Sequence, residues 1–533
     1  MPPSIPLIVA QARAGALEQA WRLFREGGYD SVATDPVALA VKGRLLKDSA
    51  LLASGDERVL LFGEAAAAYA AADALGPQPY LLINVATLAF LAGDRARAVT
   101  VAGEVLARLD SGAPLAETPY WLAATRAEAL LLRSDVLGAD AALGRAIALD
   151  PDGWDDHAST LRQFRLIFEA AGLDKSWLDP HRPPISLHFA GHLGIAETGS
   201  QALCSAIDEL LAEERVGFGF GALAAGADIV IAEALLARQA ELHVTLPAPV
   251  AAFRAQSVLP YGSGWAARFD ACLAAATSVA IATTTGGDYE PLATALAADL
   301  AMGAAVLNAR RLETFAAQLL IIDGGPLPFG GGTNTARDGG IWAATDRPQH
   351  IIRWPRTANV TASSRVTEGR PDRRLAALLH ISFEGLDALD DAGFAQALDE
   401  VVAPFRTRAA ALAVQPDLGL PLGNARLLAF TSAEAAWRYA MALLTPPALM
   451  MPLRVAGHYG VAHWLDDPPS IAGPTIVRLN AIATAAFPGT VTVSEAFAAS
   501  LFVGLANHVH AELVGEVAGQ RLFALSRATQ PDQ

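Results

Sequence analysis

The chain has 533 residues, with 39 Lys and Arg against 55 Asp and Glu for a net charge of −16, and it is 53% hydrophobic and 18% charged. That composition excludes a disordered chain, and the acidic balance excludes a protein that coats phosphate backbones, so no nucleic-acid partner is expected. At roughly 100–200 residues per domain the length calls for about three or four folded units.

The two cysteines, Cys204 and Cys272, cannot build a disulfide framework and point to a reducing compartment, the cytoplasm by default. The positive mean hydropathy of +0.32 comes from alanine runs such as Ala65-Ala66-Ala67-Ala68. The apolar stretch 441–453 is broken by Pro446, Pro447 and Pro452, well short of the ~20 residues of a membrane span, so no membrane partner is expected. Met1-Pro2-Pro3-Ser4 lacks the basic start of a signal peptide.

Residues 1–180 carry helical periodicity with little strand-like alternation. Pro79-Tyr80-Leu81-Leu82 is echoed by Pro119-Tyr120-Trp121-Leu122, and Arg108-Leu109-Asp110 by Ala148-Leu149-Asp150. The offset of about 40 residues lies in the range of helical-hairpin arrays. Small residues stand where a neighbouring hairpin must approach: Ala86, Ala89 and Ala129 on first helices, Ala98, Ala102 and Ala142 on second ones, with Gly93-Asp94 at a turn. This pattern resembles tetratricopeptide-type repeats, which implies a protein partner; an ordinary helical bundle is the alternative. Residues around Lys42-Gly43-Arg44-Leu45 look like an earlier, less regular unit.

The prolines of Asp179-Pro180-His181-Arg182-Pro183-Pro184 forbid helix and mark a boundary. Beyond it, short apolar strands are expected at 185–190, 216–220, 241–246, 278–283, 318–322 and 351–354, alternating with helices, which indicates an α/β Rossmann-like parallel sheet over 184–356. Such sheets bind ligands at the carboxyl ends of their strands. Glycines gather there: Gly191-His192 after the first strand, Gly221-Ala222 through Gly226-Ala227-Asp228 after the second, and Asp323-Gly324-Gly325 leading to Gly330-Gly331-Gly332-Thr333 after the fifth. Bare backbone amides at a helix N-terminus can cradle a phosphate, although tight turns need glycine for purely conformational reasons. Asp228 reads as an acid stabilised by the dipole of the helix it opens. Glu233 is open between that role and a contact to a ribose hydroxyl or an acid/base role.

This arrangement resembles the SLOG superfamily, which includes the LOG-type phosphoribohydrolases and DprA-type modules. The matching pieces also include Leu246-Pro247, Ser257-Val258 and Trp265 with Arg268-Phe269. The resemblance implies a nucleotide-type small molecule bound by Gly191, His192, Gly221, Ala222, Gly226, Asp228, Glu233, Gly331, Gly332 and Thr333. The LOG signature PGGxGTxxE supplies a catalytic Glu, and here Ala336 or Arg337 stands in its place. Recognition rather than turnover of the ligand is implied, with no catalytic residue assigned and no cofactor.

Residues 357–374 are polar and poorly periodic and read as a linker. After it, strands are expected at 375–383, 425–430, 453–460 and 491–493, with helices at 394–413, 433–444, 476–486 and from Ser494, an α+β ferredoxin-like order. Residues 506–533 read as a C-terminal extension. The stretch 374–501 resembles class III nucleotide cyclases through Ile381-Ser382-Phe383-Glu384-Gly385-Leu386, Gly423-Asn424, Arg454-Val455-Ala456-Gly457-His458-Tyr459-Gly460 and Phe487-Pro488-Gly489-Thr490. Cyclisation needs two aspartates holding two divalent ions on the triphosphate; this chain has Ser382 and Asn424 at those positions. The family's ribose-positioning Asn and phosphate-stabilising Arg map to Val477 and Ala481, with Arg478 and Asn480 nearby. The resemblance therefore implies a pseudocyclase with no metal, its pairing surface implying a homodimer through this domain. His380, His458, His463, His508 and His510 have no adjacent Cys or carboxylate set and read as solvated or core histidines.

The reading that unites these parts is a cytoplasmic regulatory protein that senses a nucleotide-derived ligand. The alternatives are a LOG-type nucleotide hydrolase using Glu233 or Asp323, and a cyclase with a non-standard site.

Overall fold

The computed structural model describes residues 3–197, 201–284, 291–323, 332–356, 372–445 and 451–528. The chain is mixed helix and sheet and divides into two compact units, the first essentially Met1–Pro183 and the second Pro184–Arg310 with Thr314–Ala528. The expected linker lies largely outside the described residues, as does Gly331; of Gly332 and Thr333 only the backbone is described.

The first unit is helical: α1 Ile5–Arg13, α2 Leu17–Glu26, α3 Pro36–Leu52, α4 Gly55–Leu75, α5 Pro79–Leu91, α6 Arg95–Asp110, α7 Pro119–Leu132, α8 Val136–Leu149 and α9 Trp154–Ala171. The echoed prolines sit in the first turn of α5 and α7, where the missing N–H costs nothing and the fixed φ suits the helix. Asp94 and Asp135 cap α6 and α8 by accepting from Arg97 N and Gly138 N. Ala86, Ala98, Ala102, Ala129 and Ala142 are all fully buried where hairpins meet. Helix α9 is hydrogen-bonded to α3 and α7 through Gln163. Gln163 on α9 accepts from Lys47 Nζ of α3 (2.7 Å) and donates to Glu128 Oε1 of α7 (3.0 Å), while Thr87 of α5 also donates to Glu128. Its apolar side, Leu161, Phe164, Ile167 and Phe168, joins the core of α5 to α8. The prolines at 180–184 do not abolish helix entirely, because a 3-10 turn spans Lys175–His181.

The second unit begins with six parallel strands, β1 Ile185–Gly191, β2 Val216–Gly221, β3 Glu241–Leu246, β4 Ser278–Ile281, β5 Ala316–Ile322 and β6 Gln349–Arg353, in the order β4-β3-β2-β1-β5-β6. The intervening helices are α10 Gln201–Glu213, α11 Ala227–Ala237, α12 Val250–Ser257, α13 Ser263–Ala275, α14 Pro291–Arg311 and α15 Gly332–Ala343. Helices α10, α11 and α13 cover one face. Helix α14 is long and apolar enough to cross a membrane, but 56% of its apolar window is buried inside the protein.

A mixed sheet follows: β7 Arg373–Phe383, α16 Asp391–Ala397, α17 Ala403–Ala410, β8 Leu418–Leu422, β9 Ala425–Phe430, α18 Ala433–Leu444, β10 Leu453–Asp466, β11 Pro469–Ala472, α19 Pro474–Ala485, β12 Val491–Ser494, α20 Glu495–Leu505, β13 Val509–Val517 and β14 Gln520–Arg527. Its order is β13-β14-β12-β10-β7-β9-β8, with β11 hairpinned onto β10. The stretch read as a C-terminal extension contains β13 and β14: β14 pairs antiparallel with β12 and buries Leu522 to Leu525, so residues 509–527 belong to the sheet. Along β10 the pleat divides the strand. Leu453, Val455 and Tyr459 join one core, while Ala456 and Ala462 join a second core that includes Leu479 and Ile482 of α19.

The two sheets share a core. Leu296, Met302, Val306 and Trp342 from α14 and α15 belong to the same apolar cluster as Leu443, Tyr459, Phe497 and Phe502 from the mixed-sheet half. Gly303 of α14 lies so close to α20 that a Cβ there would stand 1.9 Å from Ala499 O. Arg347 donates to Val503 O (2.8 Å) and Phe502 O (3.3 Å), capping the last turn of α20 with a cation where the helix dipole favours one.

Candidate functional site

The strand order reverses at β1, which is flanked by β2 on one side and β5 on the other, and ligands of open parallel sheets bind outside the carboxyl ends at such a reversal. The structure brings Gly191, His192, Gly221, Ala222, Gly226 and Asp228 together there. Asp228, 7% exposed, turns its carboxylate back from the start of α11 and accepts from Gly191 N (3.1 Å) and Ala224 N (3.1 Å). Two of the amides expected to cradle a phosphate are therefore taken by the chain's own carboxylate. The glycines have internal reasons as well. A Cβ on Gly191 would stand 2.3 Å from Ala227 Cβ, one on Gly221 would enter the Phe189 ring, and Gly226 has φ +102° with His192 O 2.8 Å from its would-be Cβ.

His192 is buried and held at both nitrogens: Gly194 N donates to Nδ1 (3.2 Å) and Nε2 lies 2.9 Å from Trp354 O. The imidazole is neutral with its proton on Nε2, and burial lowers its pKa further. It ties the end of β1 to the end of β6. Glu233 sits apart from this cluster, in a two-pronged pair with Arg268 (2.7 and 2.5 Å) whose guanidinium lies 4.1 Å over Trp265. That pairing leaves little capacity for proton transfer and accounts for the conjunction of Glu233, Trp265 and Arg268. Asp323, the other acid/base candidate, pairs with Arg356 at 2.6 Å.

Other groups at the same edge were not singled out from the sequence. Asp338 on α15 is buried and accepts from Arg337, which also forks onto Asp299 of α14 (2.7 and 2.9 Å). The carboxyls of both Asp228 and Asp338 are pushed up to about 7, chiefly by burial, with the charge of Asp338 a smaller part of the rise at Asp228. Thr335 Oγ1 lies 3.5 Å from Gly191 O. On the other side, the Tyr459 phenol of β10 is close enough to Asp299 and Arg337 to feel both charges. A line of packed groups thus runs from the end of β1 to the mixed sheet. Asp338 stands in the middle of α15, seven residues into the helix, and nothing in the sequence marks it apart from other helical acids.

In the mixed sheet, Ser382 is the last residue but one of β7 and Asn424 lies in the turn between β8 and β9; because Ile381 pairs with Arg426, both come to one end of the sheet. Directly across from Ser382 is Arg454, whose guanidinium pairs with Glu384 and donates to Ala486 O. Cross-strand partners share a face, so a cation stands beside Ser382. Asn424 donates to Asp387 Oδ1 at 2.6 Å. Among the described residues no group of three or more His, Cys, Asp or Glu side chains is arranged to hold a metal ion. Val477 is 71% exposed on α19.

No family model matches the chain, and no curated protein matches it. Among solved structures it is similar to the adenylyl cyclase CyaB from P. aeruginosa, at 11% identity over 29% of this chain and 95% of that one, with a TM-score of 0.25. It is similar to the guanylate cyclase domain of RhGC from Catenaria anguillulae in complex with GTP, at 13% identity over 29% of this chain and 97% of that one, TM-score 0.24. It is also similar to an adenylate/guanylate cyclase/hydrolase from Silicibacter pomeroyi, at 19% identity over 29% of this chain and 96% of that one, TM-score 0.21.

Proposed function

We propose that the chain is a regulatory protein in which a SLOG-like parallel sheet receives a nucleotide-type ligand and passes its binding state to a cyclase-homology domain that does not cyclise. The observation that carries this reading is the common core of the second unit, with Gly303 against Ala499 and Arg347 on the end of α20. Only a ligand with different affinity for two arrangements of such a core can shift it, and a core with no slack between α14 and α20 couples the two sheets mechanically. The ligand set is Gly191, His192, Gly221, Ala222, Gly226 and Asp228 with Gly331, Gly332 and Thr333, of which Gly332 and Thr333 open α15. Because Asp228 occupies the amides of Gly191 and Ala224, its side of the site favours a hydroxyl or amino group, and a phosphate belongs toward α15. Glu233 acts in this reading by holding Arg268.

Inactivity as a cyclase rests on Ser382 and Asn424 in place of acids and on the Arg454–Glu384 pair beside them. The helical unit is the proposed platform for a protein partner and the mixed sheet the proposed pairing surface of a homodimer. The test is thermal unfolding of the full chain against AMP, ADP, ATP, GTP, cyclic AMP, NAD and ADP-ribose, with each mixture then analysed for products in the presence of Mg²⁺ or Mn²⁺. The reading predicts saturable stabilisation by at least one compound, following RT ln(1 + [L]/Kd), with no cyclic nucleotide formed. Cyclic product from ATP or GTP, or no stabilisation by any compound, overturns it.

A further inference from the structure

We propose that the helical unit takes an acidic peptide segment of a partner protein in the groove between α6 and α8, with a bulky apolar side chain of the peptide in the groove and its carboxylates on Arg145 and Arg126. The inference rests on the reading of this unit as a partner platform, and names the surface and the chemistry of the partner. Where α3, α5, α7 and α9 meet, the polar side chains are already committed to one another. Gln163 bridges Lys47 and Glu128, Thr87 donates to the same carboxylate, and the hydroxyls of Tyr120 and Thr160 lie 2.9 Å apart. Buried polar groups satisfied in this way are costly to unpair, so that side of the unit offers a partner little.

The open space lies elsewhere. Leu109 at the end of α6, Leu122 and Ala123 of α7, Ala142 of α8 and Leu115 of the connecting loop line a cleft of about 350 Å³, within the range of ligand clefts. The charged residues that line it are Arg126 and Arg145, and none is an acid. In a chain of net charge −16 this is a local excess of positive charge. Arg145 is exposed, and no hydrogen bond or ion pair holds it among the described residues. Arg126 pairs with Asp110 at 2.6 Å, but that carboxylate is 64% exposed, and an exposed pair of this kind contributes little and is exchanged for another carboxylate at little cost. An apolar floor with a charged rim is the anatomy of a protein interface, and the sign of this rim selects an acidic partner. Helix α8 gives the peptide backbone room beside the cleft. Ala141, Gly144 and Ala148 follow one exposed face of it, and a Cβ on Gly144 would meet nothing within 4 Å. Leu149, exposed one turn beyond Arg145, extends the apolar contact.

The experiment is fluorescence anisotropy of three pools of labelled peptides titrated with the full chain, at about 0.15 M salt, where long-range repulsion between an acidic peptide and the acidic chain is screened. The pools share their Leu, Phe and Ala positions and differ only in carrying Glu, Lys or Gln between them. Wild type is expected to bind the Glu pool most tightly. Arg145→Glu, at an exposed position, is expected to weaken that binding by about tenfold or more and to move the preference to the Lys pool. Ala123→Trp, which fills the cleft without changing a charge, is expected to abolish binding. Equal binding of the three pools, or Glu-pool binding that Arg145→Glu leaves unchanged, overturns the proposal. Preference for the Lys or Gln pool that Ala123→Trp abolishes overturns the acidic partner and keeps the cleft as a partner surface. No binding by any pool overturns the proposal and also withdraws the cleft from the platform reading.

Discussion

Asp228 and Asp338 are two carboxyls in one low-dielectric place, and both titrate near 7 because burial disfavours their charged forms. Each folded value lies above the unfolded one. Their contribution to stability is therefore full at low pH and is lost as the pH rises from about 4 to about 7. The neutral His188 and His458, held at about 3 by burial, act in the opposite sense, losing stability as the pH falls below about 6.5. The pH profile of the whole chain mixes the two, so a variant is needed to separate them. Asp338→Asn removes one titration and the like charge that raises Asp228, and the fall in unfolding free energy between pH 4.5 and 7.5 should become shallower; urea unfolding across that range measures it, and an unchanged slope refutes the assignment. This pair was not legible in the sequence, where Asp228 and Asp338 stand 110 residues apart. Nor could the glycines at 191, 221 and 226 be interpreted fully. A glycine in a sequence records that a Cβ is not tolerated and says nothing about whether a ligand or the chain itself excludes it.

Strands and helices with strong periodicity were the most readable elements. The apolar runs at 185–190, 216–220 and 241–246 become strands with almost the expected bounds, and 433–444 becomes α18, because each run is long enough to bury one face or two. The strands β8, β11, β13 and β14 escaped notice. Leu418–Leu422 contains Pro421 and Pro469–Ala472 begins with proline, which sequence rules assign to turns although edge strands tolerate it. Glu512, Glu516 and the glycines of 509–520 make the last hairpin look like a tail. The contact between α14 and α20 was equally invisible, since Gly303 in a helical run reads only as a weak spot. Gly303→Val should force a side chain into the Ala499 carbonyl and cost at least the ~1–3 kcal/mol typical of overpacking. Loss of both sheets in one lowered transition, followed by circular dichroism and tryptophan fluorescence together, is the expected result; an unchanged melting temperature, or separate transitions for the two sheets, contradicts a shared core.

At the scale of the molecule, composition and charge indicated a folded acidic chain of several parts, and the parallel sheet and the mixed sheet follow from the spacing of apolar runs. Long-range order did not follow: nothing local in 291–311 or 495–505 says that these helices meet, because the cause is the fit of two surfaces distant in sequence. That fit is what makes a ligand at one sheet able to act on the other. The most direct measurement is hydrogen–deuterium exchange of the full chain with and without whichever nucleotide-type compound stabilises it. Slowed exchange is expected at 191–197 and 221–230 together with an altered rate in Glu495–Leu505, the helix packed on Gly303. Protection confined to the parallel sheet, with α20 exchanging as before, would contradict it.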